Sequence, residues 1–276
     1  MSIESKLRSL RSSSIVVTVF ALLLVCAGLV QIGLGGLAVS KEYERIEKVE
    51  QMARQSATFY GYQSQRSALE SEYNRSSTAF FLEGRFMPAT DGLTLGDPAV
   101  IAAIALLLFG LGFLVAAMIW VWRAHGNLSE AGVRTRYGPG KAIAAYLVPA
   151  VNLILPFEAM RELYNRSHGE PEDFAHSTVE DVTAWWTSVV VGLLIFSAMI
   201  VKFMLDAGTS LIIMTPIWME FTIIAFALIL LLLAAYLFSG LARKITAAQH
   251  EHLHEIAASA PEMEEPSRMS VNVITS

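Results

Sequence analysis

The side chains of this 276-residue chain that could do chemistry fall into a few small groups. Near the carboxyl end, His250-Glu-His252-Leu-His254-Glu255 puts His250 and His254 on one helical face, at a spacing zinc sites use. A solvated tail explains the same residues, and no metal is assigned to them. His168 and His176 flank Glu170, Glu172 and Asp173, a set able to hold a divalent cation and equally read as an ordinary acidic loop. Asn152 lies between Pro149 and Pro156 in an apolar run, Lys202 and Glu220 are isolated charges near the ends of two others, and Arg134, Arg136 and Lys141 cluster within eight residues. There is no Gly-rich phosphate loop, serine elbow or His-Glu-x-x-His motif, so the sequence argues against an enzyme and implies no cofactor.

Composition decides what must position these groups. Hydrophobic residues make up 54% and charged residues 16%, with a mean hydropathy of +0.49, against a charged share of about 25% in soluble domains. The bilayer is therefore the expected solvent and partner, and the expected fold is an all-α polytopic membrane bundle. Cys26, the single cysteine, lies inside the first apolar run, so no intramolecular disulfide can form. The net charge of -5 is concentrated in loops and tail and provides no basic footprint for nucleic acid.

Four runs are long enough to span. Residues 1–14 carry Lys6, Arg8 and Arg11 and precede an apolar run over 15–39, which reads as an uncleaved anchor although Ala38-Val39-Ser40 would pass for a cleavage site. Further spans are expected over 98–122, 184–205 and 217–239. The second ends at the interfacial Trp120 and Trp122, the third enters at Trp185-Trp186 after the capping box Ser177-Thr-Val-Glu180, and Arg243 and Lys244 stop the fourth. Between the first two, 40–97 carries seven basic and nine acidic residues. Strong helix formers over 41–54 extend the first helix outward into a helical extracytoplasmic loop, with a ragged apolar stripe at Tyr43, Ile46, Val49 and Met52. A short turn over 206–216 joins the last two spans, and 240–276 is a polar tail.

The remaining apolar run is of another kind. Residues 142–157 form a stretch of 16 without a charge, below the roughly 20 that cross a ~30 Å hydrocarbon core. Pro149 and Pro156 each remove a helix N–H, which would free carbonyls at Ala145 and Asn152. Hydrocarbon cannot satisfy them, so 123–167 is expected as a loop plus a broken, re-entrant helical segment that turns near 149–152 and leaves by the face it entered. Polar chain follows from Arg161, with a cytoplasmic loop over 168–183. Asn152 is expected to be buried and internally bonded. With Pro149, Pro156 and Tyr146 it is also where a solute would bind if the segment held one.

Lysine and arginine counts choose the topology. With a returning segment, twelve of the 20 basic residues share the side of both termini, and seven lie in the long loop. Both ends are therefore expected in the cytoplasm. Lys202, one turn from the outer end of its helix, and Glu220, one turn into the next, are expected to pair as a structural ion pair, with Asp206 as local competitor. Arg134, Arg136 and Lys141 are expected to touch anionic lipid headgroups.

Trp122-Arg123-Ala124 with Asn127-Leu128, Tyr137-x-Pro139-Gly140, Tyr146, Pro149-x-x-Asn152-Leu153-x-x-Pro156, Met160-Arg161-Glu162, Ser167, Trp185-Trp186 and Thr246-x-x-Gln249 follow one another in order. In this series the chain resembles the bacterial membrane family known as domain of unknown function 4328, over about residues 98–250. The family often has an aromatic residue where Lys141 and Val148 stand here. The resemblance implies a bacterial inner-membrane protein and no particular chemistry.

Three function classes follow. A structural or interaction subunit needs only the scaffold, with protein partners or a second copy of the chain meeting its loop and tail. A small transporter or channel-like protein would use the broken segment, since unwound helix with freed carbonyls is how transporters hold ions. A signal transducer would use 40–97 as its sensor.

Overall fold

The computed structural model describes residues 3–55, 98–147, 154–171, 179–208 and 215–259. Most of the 40–97 loop, Pro149, Asn152, His176, Ser177 and the tail from 260 lie outside them. Among the described residues there are six helices and no strand: α1 (Ile3–Gln55), α2 (Pro98–Glu130), α3 (Pro139–Leu147), α4 (Leu155–Ser167), α5 (Val179–Gly208) and α6 (Ile217–Ser259).

Helices α1, α2, α5 and α6 hold stretches long and apolar enough to cross a membrane. Their large apolar side chains point outward, Leu107 at 63% and Leu194 at 60% exposed, which suits a surface bathed in hydrocarbon. The longest helix, α1, has 53 residues, or about 80 Å at ~1.5 Å per residue. It runs unbroken into the polar region past 40, where Gln51 donates to Glu47 at 3.3 Å and Arg54 pairs with Glu50 at 3.5 Å one turn apart.

Prolines mark where helices begin. Pro98, Pro139 and Pro156 sit in the first turns of α2, α3 and α4, where no N–H is required. This corrects the expectation for Pro156, which starts a helix instead of interrupting one. Residues 161–167, expected as polar loop, are helical too. A buried face of Met160, Leu163, Tyr164 and Ser167 holds α4 against the bundle, and tertiary burial overrides the local polarity.

The long helices pack α2 against α1, α1 against α6, and α6 against α5, each neighbour antiparallel. Lys6 near the start of α1 pairs with Glu130 at the end of α2, while Leu24 lies against Gly110. On the other side of α1, the absent side chain of Gly28 makes room for Leu232 of α6, and a Cβ there would collide with it. One end of the bundle therefore gathers the starts of α1 and α5 and the ends of α2 and α6. Most of the lysines and arginines stand there, and it is called the basic end below. The chain from α2 to α5 leaves and rejoins at this end, because Trp120 of α2 bonds to Thr246 and Asp181 of α5 pairs with Lys244, both on α6.

The main core lies toward the basic end. Phe238 meets Phe113 and Trp120 in T-shaped contacts at 5.8 and 5.6 Å between ring centres, with Trp185 at 5.6 Å. Trp120 and Trp185 are thus core residues, contrary to the expectation that they are interfacial. Trp122 is exposed and Trp186 is half-buried. Trp120 and Trp122 are two apart and point to nearly opposite faces of their helix, and the adjacent Trp185 and Trp186 diverge by about 100°, so in each pair one ring is buried and the other is left more accessible.

Candidate functional site

At the basic end a buried polar layer is assembled from α2, the 131–138 turn, α4 and α6. Helix α2 stops in a Schellman cap. Gly132 has φ +78, Val133 N–H donates to Leu128 O at 3.0 Å, and Gly132 N–H donates to Ser129 O at 3.3 Å. Helix α4 ends in the same way at Gly169, φ +75, with Glu170 N–H on Asn165 O at 2.9 Å. Only glycine takes this left-handed conformation without a Cβ penalty. The first cap turns 133–138 back across the end of the bundle, toward α4.

There Glu162, 2% exposed, closes its carboxylate on two successive main-chain donors, Arg136 N–H and Tyr137 N–H, the latter at 2.9 Å. A carboxylate removed from water must find donors, and here the backbone supplies them. Tyr137 is pinned at three atoms. Besides its N–H, its phenol donates to Glu158 Oε2 at 2.5 Å, and its carbonyl lies 3.0 Å from Nδ1 of the buried His125. A carbonyl only accepts, so that nitrogen carries a proton. Burial, reinforced by the Glu158 hydrogen bond, pushes the Tyr137 phenol up to about 12 from 10.0. The group stays a neutral donor at ordinary pH.

Helix α6 closes the layer. Gln249, 0% exposed, donates to Ala124 O of α2 and to Ser167 Oγ of α4, each at 3.0 Å. The Ser167 hydroxyl in turn donates to Leu163 O at 2.6 Å. One turn earlier, Thr246 accepts Trp120 Nε1 at 3.1 Å and donates to Ala242 O at 2.6 Å. Asn127 Nδ2, the Tyr146 hydroxyl and Gln249 Oε1 are buried with no hydrogen-bond partner among the described residues.

Nearly all of this layer falls inside one family region. The family described as Domain of unknown function (DUF4328) matches residues 97–247. The chain belongs to the DUF4328 family. No curated protein and no solved structure matches it. The structure shows what several residues of the family series do: Gln249 ties Ala124 of α2 to Ser167 of α4, Glu162 of α4 accepts Tyr137 N–H of the turn, and Thr246 of α6 accepts Trp120 of α2.

The remaining site residues are dispersed. Arg134, Arg136 and Lys141 are exposed at the basic end, the Arg136 guanidinium lying 5.5 Å from the centre of the Tyr137 ring. Pro156 is buried in the first turn of α4 and Tyr146 is half-buried, while Pro149 and Asn152 are outside the described residues. At the far end of the bundle Lys202 Nζ lies 2.8 Å from Glu220 Oε1, which also accepts the Thr215 hydroxyl. The side chain of Asp206 is outside the described residues. Glu42 of α1 is 0% exposed at that same end. His250 is exposed and the side chain of His254 is not described. His168 stacks on Tyr164 at 4.3 Å. Among the described residues no three His, Cys, Asp or Glu side chains converge as for a metal.

Sequence reasoning did not single out His125, Glu158, Glu162 or Gln249 as site residues. The available signals were the four-residue spacing of Glu158 and Glu162 and the three-residue spacing of Thr246 and Gln249, each of which puts two polar groups on one helical face.

Proposed function

We propose that this DUF4328 protein is a structural or interaction subunit of the bacterial inner membrane, with both termini in the cytoplasm and 139–167 as a re-entrant element. The observation that carries the reading is the use made of the buried polar groups. Glu162, Tyr137, Ser167, Thr246 and Gln249 hold α4 and the 131–138 turn against the bundle, which is the work of an architecture. Two helical arms support it: α1 continues to Gln55 beyond one end and α6 to Ser259 beyond the other, both past the reach of the hydrocarbon core. They offer exposed surface, including Glu47 and Glu50 on one arm and Glu251 on the other, to protein partners or a second copy. Arg134, Arg136 and Lys141 would then lie among anionic headgroups.

A photocrosslinker placed at Glu50 or Glu251 in growing cells should yield a defined adduct to one partner, reduced when Glu162→Ala loosens the layer. A purified chain that moves a solute across vesicles, and loses that flux on Asn152→Leu, would overturn the scaffold in favour of a transporter. The Asn127 and Tyr146 atoms, buried with no hydrogen-bond partner among the described residues, favour that second reading. Cysteines at Ser129 and His168, both exposed, in a Cys26→Ala background should each react with an impermeant thiol reagent from the cytoplasmic side. Reaction of His168→Cys from outside would refute the topology.

A further inference from the structure

At the basic end a cleft of ≈ 490 Å³ opens between the start of α1 and the far part of α6, walled by Arg11, Ser14 and Ile15 on one side and Arg243, Thr246 and His250 on the other. It continues outward into a second hollow of ≈ 320 Å³ that shares Arg11 and His250 and adds Arg8 and Glu4. Three exposed arginines from two helices thus line neighbouring hollows. Nearby cations are engaged: Lys6 with Glu130, Lys244 with Asp181, and Arg123 with Ser9 O at 3.2 Å. Arg8, Arg11 and Arg243 have no ion pair among the described residues, and Glu4 is the one carboxylate on these walls. Like charges gathered without a partner repel, and an anion between them relieves the repulsion. The planar fork of arginine suits a phosphate in particular, because it donates two parallel N–H bonds to adjacent oxygens.

The depth of the cleft says what carries the phosphate. Ile15 is the first residue of the apolar run of α1, and Arg243 follows the apolar run of α6 by one turn, so the cleft straddles the boundary between water and hydrocarbon. Below it the same faces continue as apolar surface at helical spacing, with Ile15, Val19 and Leu22 exposed on α1 and Tyr236 exposed on α6. Gly240, between Tyr236 and Arg243, has nothing within 4 Å of where a Cβ would stand. A headgroup site that opens downward onto an unfilled apolar track has the shape of a phospholipid.

We propose that this cleft seats the phosphate of an anionic phospholipid between Arg11 and Arg243, with His250 over the headgroup and an acyl chain along Ile15, Val19 and Gly240. The site is separate from the exposed loop cations Arg134, Arg136 and Lys141. It rests on the helices being in a bilayer and is independent of the scaffold role. The full chain in detergent, titrated with phosphatidylglycerol and followed by native mass spectrometry, should show one saturable adduct. The Arg11→Gln/Arg243→Gln variant should bind roughly twentyfold more weakly, from about fivefold per basic residue near an anionic surface. Arg11→Lys/Arg243→Lys, which keeps the charge and loses the fork, should fall between. Neither arginine has an ion pair among the described residues, so thermal unfolding should be unchanged and a loss of adduct would report the site. Equal binding by wild type and the double glutamine variant would overturn the proposal, as would an equal loss in Arg134→Gln/Arg136→Gln/Lys141→Gln. Displacement by inorganic phosphate or glycerol 3-phosphate at concentrations similar to the lipid would show that a soluble phosphate is the ligand and would overturn the lipid.

Discussion

Glu162 and Glu220 are both buried carboxylates, at opposite ends of the bundle, and they are compensated by different means. Glu162 closes on two main-chain N–H groups of a turn some 25 residues away. Glu220 meets the ammonium group of Lys202 on the neighbouring helix and the Thr215 hydroxyl just before its own. A main-chain donor cannot be moved to another rotamer, so the first arrangement specifies the path of a turn. A lysine reaches its partner through a flexible stem, so the second holds two helices at one depth while tolerating small shifts. The basic end is thereby built for one path of the 131–138 turn over α4, and the far end for a pairing of α5 with α6.

The contrast is open to test, and its largest expected effect is at Glu162. Glu162→Ala leaves one buried and one partly buried N–H group without an acceptor and should lower stability by about 3 kcal/mol, from ~1.5–3 kcal/mol for each hydrogen bond to a charged group less what relaxation recovers. Thermal unfolding in detergent reads this, and Glu162→Gln should lose less because its amide oxygen still accepts. A shift no larger than that of the exposed control Glu251→Ala would remove the distinction between the two ends. At the far end Lys202→Met should destabilise by roughly 2 kcal/mol, an unpaired charge near the interface being less costly than one at full depth. Adding Glu220→Leu should restore part of the loss, giving a measurable coupling between the sites. Strict additivity would mean the ion pair does no work.

Smaller effects sharpen the picture of the basic end. Gln249→Leu should cost about 1 kcal/mol. More tellingly, it should release α4 from α6, raising the rate at which trypsin cuts at Arg161 and Arg166. Unchanged cleavage would show that α4 is held by apolar packing alone. Tyr137→Phe removes only the bond to Glu158 and should be the mildest near neutral pH. Because folding raises the phenol from 10.0 to about 12, the folded state keeps a proton that the unfolded chain gives up. That stability is complete below pH 10.0 and is lost as pH rises through about 12. The wild type should therefore weaken over this alkaline window more steeply than the phenylalanine variant, and parallel curves would disprove it.

Much of the fold could be read locally. The apolar runs and the extension of the first helix past 40 follow from periodicity and helix formers, all within a few positions of one another. The family series was legible for the same reason. What misled was also local: Pro156 counted as a breaker and 161–167 as polar loop, because neither the first-turn position of the proline nor the face that α4 buries is visible in a window of neighbours. Hydropathy could place Trp120 and Trp185 at a membrane boundary but could not say which side of the helix meets Phe238.

The sequence by itself determined the solvent, the four apolar helices, the family and the unequal distribution of basic residues, since these are sums over composition and short-range pattern. Only the tertiary structure decided that α1 lies between α2 and α6, that Gln249 joins Ala124 to Ser167, that Glu162 closes on Arg136 and Tyr137, and that Arg11 and Arg243 share a cleft. Each of these joins residues between 25 and more than 200 positions apart. Such contacts depend on which faces of long helices meet, and a hydrogen bond or a cavity between two helices leaves no periodic trace in either one.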